Sequence, residues 1–258
     1  NGTLDIDEYK SMLNPKVKFV FVNHVSNTLG TINPIELIIE LAHKNNSQVL
    51  IDGAQGAAHI KINLKELNAD YYVASAHKLC GPTGVGFLYG KSELLNSLPA
   101  YQGGGEMISN VTFEKTEYAD LPHKFEAGTP NIAGVIAFGV ALDYMNSIGF
   151  DNIENHEKEL LDYATENLKK IDGIKIYGDN NQKISVISFN IGDHHPSDIG
   201  SILDQFGIAV RTGQHCTQPI MDFYKIPGTV RASFSFYNTK SEIDLFIDAL
   251  IKASKMLG

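Results

Sequence analysis

Cysteine is nearly absent: Cys80 and Cys216 are the only two among 258 residues. Two thiols cannot build a disulfide framework, and such sparing use fits a reducing compartment, so the expected location is the cytoplasm. Positive charge is scarce as well. The formal net charge is -9 and the sequence pI about 5.4, which argues against the basic footprint of a nucleic-acid binder. No charge run suggests a membrane-surface helix. No apolar run is long enough to span a bilayer, and the N-terminus lacks a signal-peptide pattern. The nine histidines show no HExxH or CxxC spacing, so no metal site is expected. Arginine is the other scarcity, with Arg211 and Arg231 alone in the chain. Where charge alone is needed this sequence uses lysine, so the two arginines mark places that need a planar bidentate fork for a carboxylate or phosphate. The competing explanation is a structural ion pair.

What remains is ordinary globular composition, 43% hydrophobic and 20% charged, enough for one large domain or two of common size. No repeat or low-complexity segment appears. Val17 to Val22 reads as a strand, followed by the polar cluster Asn23 to Thr28. Asn33-Pro34 then reads as the cap and first turn of a helix with Ile35, Ile38, Ile39 and Ala42 on its apolar face. Gln48 to Ile51 reads as a strand ending at Asp52, Leu64 to Leu67 as a short helix, and Tyr71 to Ser75 as a buried strand. This alternation predicts βαβ units and a parallel sheet, which binds ligands at the carboxyl ends of its strands. Asn27, Asp52 and the Ser75–Lys78 stretch all fall just past such ends. Gly84 to Tyr89 reads as a further strand, and the Tyr101–Met107 loop, with three consecutive glycines, as mobile or closely approached. Val135 to Ile148 reads as a helix apolar on most sides, expected to be deeply buried and ended by Gly149. From Phe150 the texture becomes that of a smaller α+β domain. It has an amphipathic helix from Asn152 to Ile171, strands at Ile174–Tyr177, Ser185–Asn190, Ile208–Arg211 and Arg231–Tyr237, and a helix from Ser197 to Phe206. A last helix, Ser241 to Met256, has a Thr239/Glu242 capping box. The expected division is 1–149 and 150–258.

Lys78, just past a buried strand, is placed where an amine can lose hydration and become a nucleophile. A solvated lysine beside a glycine turn is the plainer alternative. Asp52 tilts the balance toward a lysine that holds pyridoxal phosphate (PLP) covalently. That cofactor is an electron sink only while its ring nitrogen stays protonated, and a carboxylate paired to that nitrogen keeps it so. Gln55 can reach the same ligand as a neutral donor, and Ser75 and His77 flank the lysine as donors to the phosphate. Against this, Asp52-Gly53 could be a simple turn cap. Gly81-x-x-Gly84-x-Gly86 is not a dinucleotide loop, because its order is wrong and a strand follows it; a tight turn shaping the lysine loop fits better. Cys216 stands in a polar loop, with Arg211 and His215 expected to make its surroundings cationic and to favour thiolate. Cys80 is expected to be a buried small hydrophobe, the common fate of a free cysteine.

Taken together, His24-Val25-Ser26-Asn27, Asp52-Gly53-Ala54-Gln55, Ser75-Ala76-His77-Lys78, Gly81-Pro82-Thr83-Gly84-Val85-Gly86, Phe125-Glu126-Ala127-Gly128-Thr129-Pro130-Asn131, Arg211-x-Gly213-x-His215-Cys216 and Arg231-Ala232-Ser233 run from one end of the chain to the other. The chain resembles the group II, Suf-type cysteine desulfurases, PLP enzymes of aminotransferase class V. The resemblance implies an α/β, type I PLP-dependent transferase fold, with a mostly parallel sheet in the large domain and a smaller α+β C-terminal domain. It implies Lys78 as the cofactor lysine and proton shuttle, Asp52 at the ring nitrogen, Gln55 at the ring oxygen, and Asn27 near that oxygen and the substrate carboxylate. Ser75 and His77 would hold the phosphate, with Thr129 reaching it from a partner subunit in a homodimer. Arg231 would bind the substrate carboxylate, with Arg211 in the same substrate-binding set. Cys216 would take sulfur from L-cysteine as a persulfide, leaving L-alanine, and pass it to a sulfur-acceptor protein for iron-sulfur cluster assembly. Members of that family carry a substantial segment before the stretch matching Asn1, so the chain is expected to lack part of the large domain and of the cofactor site. The rivals are a selenocysteine lyase, another class V PLP enzyme such as a transaminase, and a non-catalytic remnant that only dimerises or docks a partner.

Overall fold

The computed structural model describes residues 1–258. It opens on a short helix, α1 (Ile6–Met12), capped by Asp5, and leads into β1 (Phe19–Asn23), α2 (Ile35–Lys44), β2 (Gln48–Asp52), α3 (Gly56–His59), α4 (Leu64–Leu67), β3 (Tyr71–Ser75) and β4 (Gly86–Gly90). β1, β2 and β3 pair in parallel, with Asn23 beside Asp52 and Asp52 beside Val73. β4 returns antiparallel to β3 and closes a four-stranded, mostly parallel sheet. The three parallel strands therefore end at one edge, as the alternating pattern predicts. α2 is held by the expected stripe, since Ile35, Ile38, Ile39 and Ala42 are all buried. Its cap differs from expectation: Pro34 occupies the cap position and no side chain caps the helix. The Asn33 amide instead donates to the Asn23 carbonyl oxygen (2.8 Å) and side-chain oxygen (3.1 Å), tying the helix entry back to the end of β1.

The reversal between β3 and β4 is the tight turn expected from its glycines. Gly81 N–H donates to the Ala76 carbonyl at 2.8 Å, and a Cβ on Gly81 would lie 2.9 Å from that same oxygen, so only glycine fits. After α5 (Ser92–Ser97), a small hairpin of β5 (Ile108–Val111) and β6 (Thr116–Tyr118) stands exposed along its length; nothing in the sequence pattern foretold it. The Gly103–Gly105 loop is exposed; Gly128 N–H donates to the Gly105 carbonyl at 2.9 Å, and only at Gly104 would a Cβ meet a neighbour, 3.3 Å from Ala127 Cβ.

Helix α6 (Ile132–Ile148) corrects the expectation of deep burial. Gly134, Phe138, Ala141 and Met145 are buried, but Val135, Ile136, Val140 and Tyr144 are 55%, 64%, 64% and 54% exposed. One stripe meets the first core, and this chain supplies nothing to cover the others. At Gly149 the chain turns into α7 (Phe150–Leu168), which spans two cores: Ile153 packs with Ile35, Tyr72 and Phe138, while Leu160, Leu161, Ala164 and Leu168 belong to the second.

The second core is covered by β7 (Ile174–Tyr177), β8 (Val186–Ile191), α8 (Pro196–Gln205), β9 (Arg211–Gly213), α9 (Gln218–Tyr224), β10 (Thr229–Ser233) and α10 (Lys240–Leu257). The strands form an antiparallel sheet in the order β7-β8-β10-β9, the α+β layout expected. The expected capping box at Thr239 and Glu242 is present. Two strands shift. The one expected at Ile208–Arg211 starts only at Arg211, because Ile208 and Val210 pack against the core as connection. The one expected at Arg231–Tyr237 ends at Ser233, because Ser235 and Asn238 close a turn. Where the cores meet, Glu157 of α7 is buried, 2.6 Å from His59 Nδ1, with Ser235 donating to its other oxygen at 3.2 Å. No single helix is long and apolar enough to cross a membrane.

Candidate active site

The carboxyl edge of the parallel sheet gathers polar side chains that the protein leaves without partners. Asp52, the last residue of β2, is exposed. One carboxylate oxygen accepts from Ala54 N–H at 2.9 Å, the expected turn, and the other has no partner in the chain. A Cβ on Gly53 would sit 2.0 Å from the Tyr72 ring, so glycine lets this turn settle directly on a fully buried aromatic. The Tyr72 hydroxyl lies 3.3 Å from His24 Nδ1, and burial, then the Asp52 charge, push its phenol well above the ordinary range. Both residues lie beneath the candidate site; His24 opens one of the matching stretches, while Tyr72 reads only as part of an apolar strand.

Beyond β3 the chain enters a single 3-10 turn, Ala76–Lys78. Lys78 is half-buried, and its Nζ makes neither hydrogen bond nor ion pair. Burial lowers its pKa, the Asp52 carboxylate pulls it back up, and the Arg231 guanidinium lowers it again. Lys78 therefore lies within electrostatic reach of both. The Ser75 hydroxyl, the His77 ring and the Gln55 amide also lack hydrogen-bond partners and sit within four residues of Lys78 or Asp52 along the chain. Unpaired polar groups collected at one sheet edge are the donor set of a ligand site.

The cysteine loop approaches from the second sheet. Pairing of β9 with β10 sets Arg211 beside Arg231. Arg231 is half-buried: Nη1 donates to the Asn27 carbonyl at 2.7 Å, while Nε is buried with no partner. Burial and then the like charge of Arg211 disfavour its charged form, and Cys216 opposes them. Arg211 is exposed and its Nη2 lies 3.8 Å from Cys216 Sγ. Cys216 is exposed, and it and His215 both have left-handed backbones, with φ of 61° and 54°. Asn27 Nδ2 donates to the His215 carbonyl at 2.7 Å, which ties the end of β1 to the cysteine loop.

His215 corrects an expectation. It is buried, and burial, with Arg231 next, pushes its pKa down to about 4, so the cations near Cys216 at neutral pH are the two arginines and not His215. Its Nε2 faces the Thr229 carbonyl at 3.2 Å, which can only accept. Nε2 therefore carries the proton, and Nδ1 is left buried without a partner. A pH dependence follows. An unfolded histidine protonates near pH 6.5, whereas folded His215 resists until about 4. Between those values the unfolded chain binds a proton that the folded chain refuses. The contribution of neutral His215 is complete above pH 6.5 and is lost as pH falls toward 4, by roughly 3 kcal/mol in all. Urea melts of His215→Asn should show a flatter acid limb across that window than the parent chain; an equal slope would contradict this.

Asn27, Asp52, Lys78, Arg211, Arg231 and Cys216 are thus linked by hydrogen bonds or mutual charge effects, with Gln55, Ser75 and His77 beside them in the chain. Thr129 is not joined to them: it is exposed, in the loop before α6, and makes no side-chain hydrogen bond. Cys80 is exposed rather than buried, because its left-handed backbone (φ 59°) sits at the surface of the glycine turn.

The family model for aminotransferase class-V matches residues 1–246. A cysteine desulfurase of Cronobacter sakazakii is 46% identical over all of this chain and 64% of its own length. A probable cysteine desulfurase of Xylella fastidiosa is 47% identical, over all of this chain and 62% of its own. The chain thus spans somewhat under two thirds of these curated relatives. Among solved structures, the cysteine desulfurase CsdA of Escherichia coli, in an S-sulfonic acid form, superposes with a TM-score of 0.94 at 36% identity, over 98% of this chain and 63% of that one. An apo cysteine desulfurase of Thermococcus onnurineus gives 0.95 at 36% identity, over 99% and 64%.

Proposed function

The chain belongs to the aminotransferase class V family, and from that premise we propose that it is the PLP-binding and sulfur-accepting part of a cysteine desulfurase, converting L-cysteine to L-alanine with a persulfide left on Cys216. The observation that carries the proposal is the placement of Lys78. Its unpartnered amine shares one strand-end edge with the Asp52 carboxylate, and the Arg231 fork, which it feels as charge, ties that edge to the Cys216 loop.

The residues present fit the cofactor. Asp52 has a free carboxylate oxygen for a ring N–H, Ser75 and His77 have uncommitted donors for a phosphate, and Gln55 and the second N–H of Asn27 suit a ring oxygen. Lys78 would hold the group through Nζ. PLP, when bound, supplies a place for the electrons left at the substrate carbon to spread. The protein supplies the rest. Arg231, with Nη1 braced on the Asn27 carbonyl and Arg211 beside it, holds the substrate carboxylate through its remaining guanidinium N–H groups. Lys78 carries the proton between substrate carbons; burial, which lowers its pKa, favours the free amine. Cys216 attacks the substrate sulfur through its exposed Sγ, which lies 3.8 Å from Arg211 Nη2. An S–S bond forms, the substrate C–S bond breaks, and its electron pair goes to the carbon fragment, which takes protons and leaves as alanine.

The proposal carries its wider readings with it: a large-domain portion over 1–149 and a cysteine-bearing portion over 150–258, a homodimer in which Thr129 serves the partner's phosphate, and an acceptor protein that takes the persulfide sulfur toward iron-sulfur clusters. The test is incubation of the PLP-treated chain with L-cysteine, with L-selenocysteine in a parallel arm. Visible absorbance and matched yields of alanine and protein persulfide are expected. A chain that stays colourless with added PLP supports a non-catalytic role, and alanine from selenocysteine alone supports a lyase.

A further inference from the structure

Cys216 is flanked by His215 and Thr217, and both flanks are tied to the same short segment after β1. Asn27 holds the His215 carbonyl from one side. On the other, the hydroxyls of Thr28 and Thr217 lie 2.7 Å apart, joining residues 189 positions distant in sequence. The direction of that bond can be assigned. Thr217 Oγ1 lies 2.9 Å from the Gln214 carbonyl oxygen, which can only accept, so the Thr217 proton goes there and Thr28 is the donor across the pair. Thr217 stands at the cap of α9, where threonine ordinarily bonds the first-turn N–H groups. It makes no such bond, because its hydroxyl is committed to the loop and to Thr28.

Thr28 is itself fixed. It is fully buried, its carbonyl accepts from the Ser188 hydroxyl at 2.5 Å, and its N–H approaches Ser26 Oγ at 3.3 Å. The segment is an anchor and the cysteine loop is what it holds. The loop needs holding, because two consecutive non-glycine residues with positive φ, His215 and Cys216, occupy a region that an unrestrained chain leaves.

We propose that the Thr28–Thr217 hydroxyl pair is a latch that fixes the Cys216 loop against the strand-end segment of the large sheet, which makes both threonines positioning residues for sulfur transfer. This rests on the desulfurase reading for its purpose and on the geometry for its existence, and the two can be tested apart. In the full chain with PLP bound, hydrogen exchange of a peptide covering 214–218 should quicken about five- to tenfold in Thr28→Val, the population change that goes with one net hydrogen bond, and by at least as much in Thr217→Val, which also loses the bond to Gln214. Exchange in β8 and β10 should hold. The double variant should exchange no faster than Thr217→Val, which already loses the pair together with its own bond to Gln214, because the shared bond cannot be lost twice. Thr28→Ser, which keeps the hydroxyl, should restore the parent rate. In the same variants kcat for persulfide formation should fall by a similar factor, with the KM for L-cysteine and the PLP absorbance unchanged. Unaltered exchange in both single variants, additive effects in the double, or a serine variant that behaves like valine would overturn the latch. Faster exchange with an unchanged kcat would overturn its role in sulfur transfer. Absence of any turnover in the parent chain would sink the desulfurase reading, while the exchange result would still decide the latch.

Discussion

Lys78→Ala is expected to lose the visible absorption of the PLP-treated chain and to slow alanine formation by a factor on the order of 10²–10⁴, the range for removing a positioned proton-transfer group. The loss follows from what surrounds the amine. Lys78 is half-buried with no partner for Nζ, so its ammonium form is disfavoured by desolvation, and Arg231 adds to that while Asp52 resists. A charge left unpaired in such a place is useful only if it can be shed. Lys78→Arg therefore serves as the sharper companion: it keeps the charge and the reach but cannot give up its proton, and it should fail as completely as alanine. The Asp52 carboxylate acceptor and the Ser75 and His77 donors are untouched by either change, so PLP should still associate, more weakly and without the band of the lysine adduct. A Lys78→Arg chain that kept both the band and the rate would show that Lys78 is the solvated lysine the glycine turn first suggests.

The sequence displays this site unevenly, and the reasons are physical. Asp52, Ser75 and Lys78 are legible because strand length and apolar runs are local properties, and a parallel βαβ pattern obliges consecutive strand ends to share an edge. The two arginines are legible by their rarity. Thr28 and Thr217 are not, since a hydroxyl pair 189 positions apart exists only once both sheets are packed together. Glu157 is invisible for the same reason: on α7 it reads as a charge on a solvated helix face, yet it is buried against His59 and Ser235. His215 reads as a cation because histidine beside arginine near a thiol suggests one. Its burial and its bond to Thr229 reverse that, and burial is a tertiary fact. Helix α6 fails in the opposite direction. Its composition reads as that of a helix buried on most sides, but this chain buries one stripe of it, at Gly134, Phe138, Ala141 and Met145.

Cys216→Ser should reduce persulfide formation and the accompanying alanine yield by a factor on the order of 10³ or more, since the residue supplies the only atom positioned to receive sulfur. The substitution changes little else. Ser has nearly the same volume, and Cys216 is exposed, so neither core loses contacts. The left-handed backbone at 216 is held through the neighbours, by Asn27 on His215 and Thr28 on Thr217, and not through the sulfur. Arg231 keeps its bond to Asn27 and its free Nε, so L-cysteine should still bind and still perturb the absorbance of the PLP-loaded chain. What goes is the nucleophile. A cysteine sulfur is intrinsically a strong nucleophile, whereas a serine hydroxyl at the same place needs an adjacent general base, and His215, turned toward Thr229 and buried, is not one. Binding without turnover is therefore the expected signature, and it separates the nucleophile from the cofactor lysine, whose loss removes the absorbance as well. Alanine and sulfide released at the parent rate by Cys216→Ser would mean that the sulfur never passes through this residue, and the arginine-flanked loop would then need another purpose.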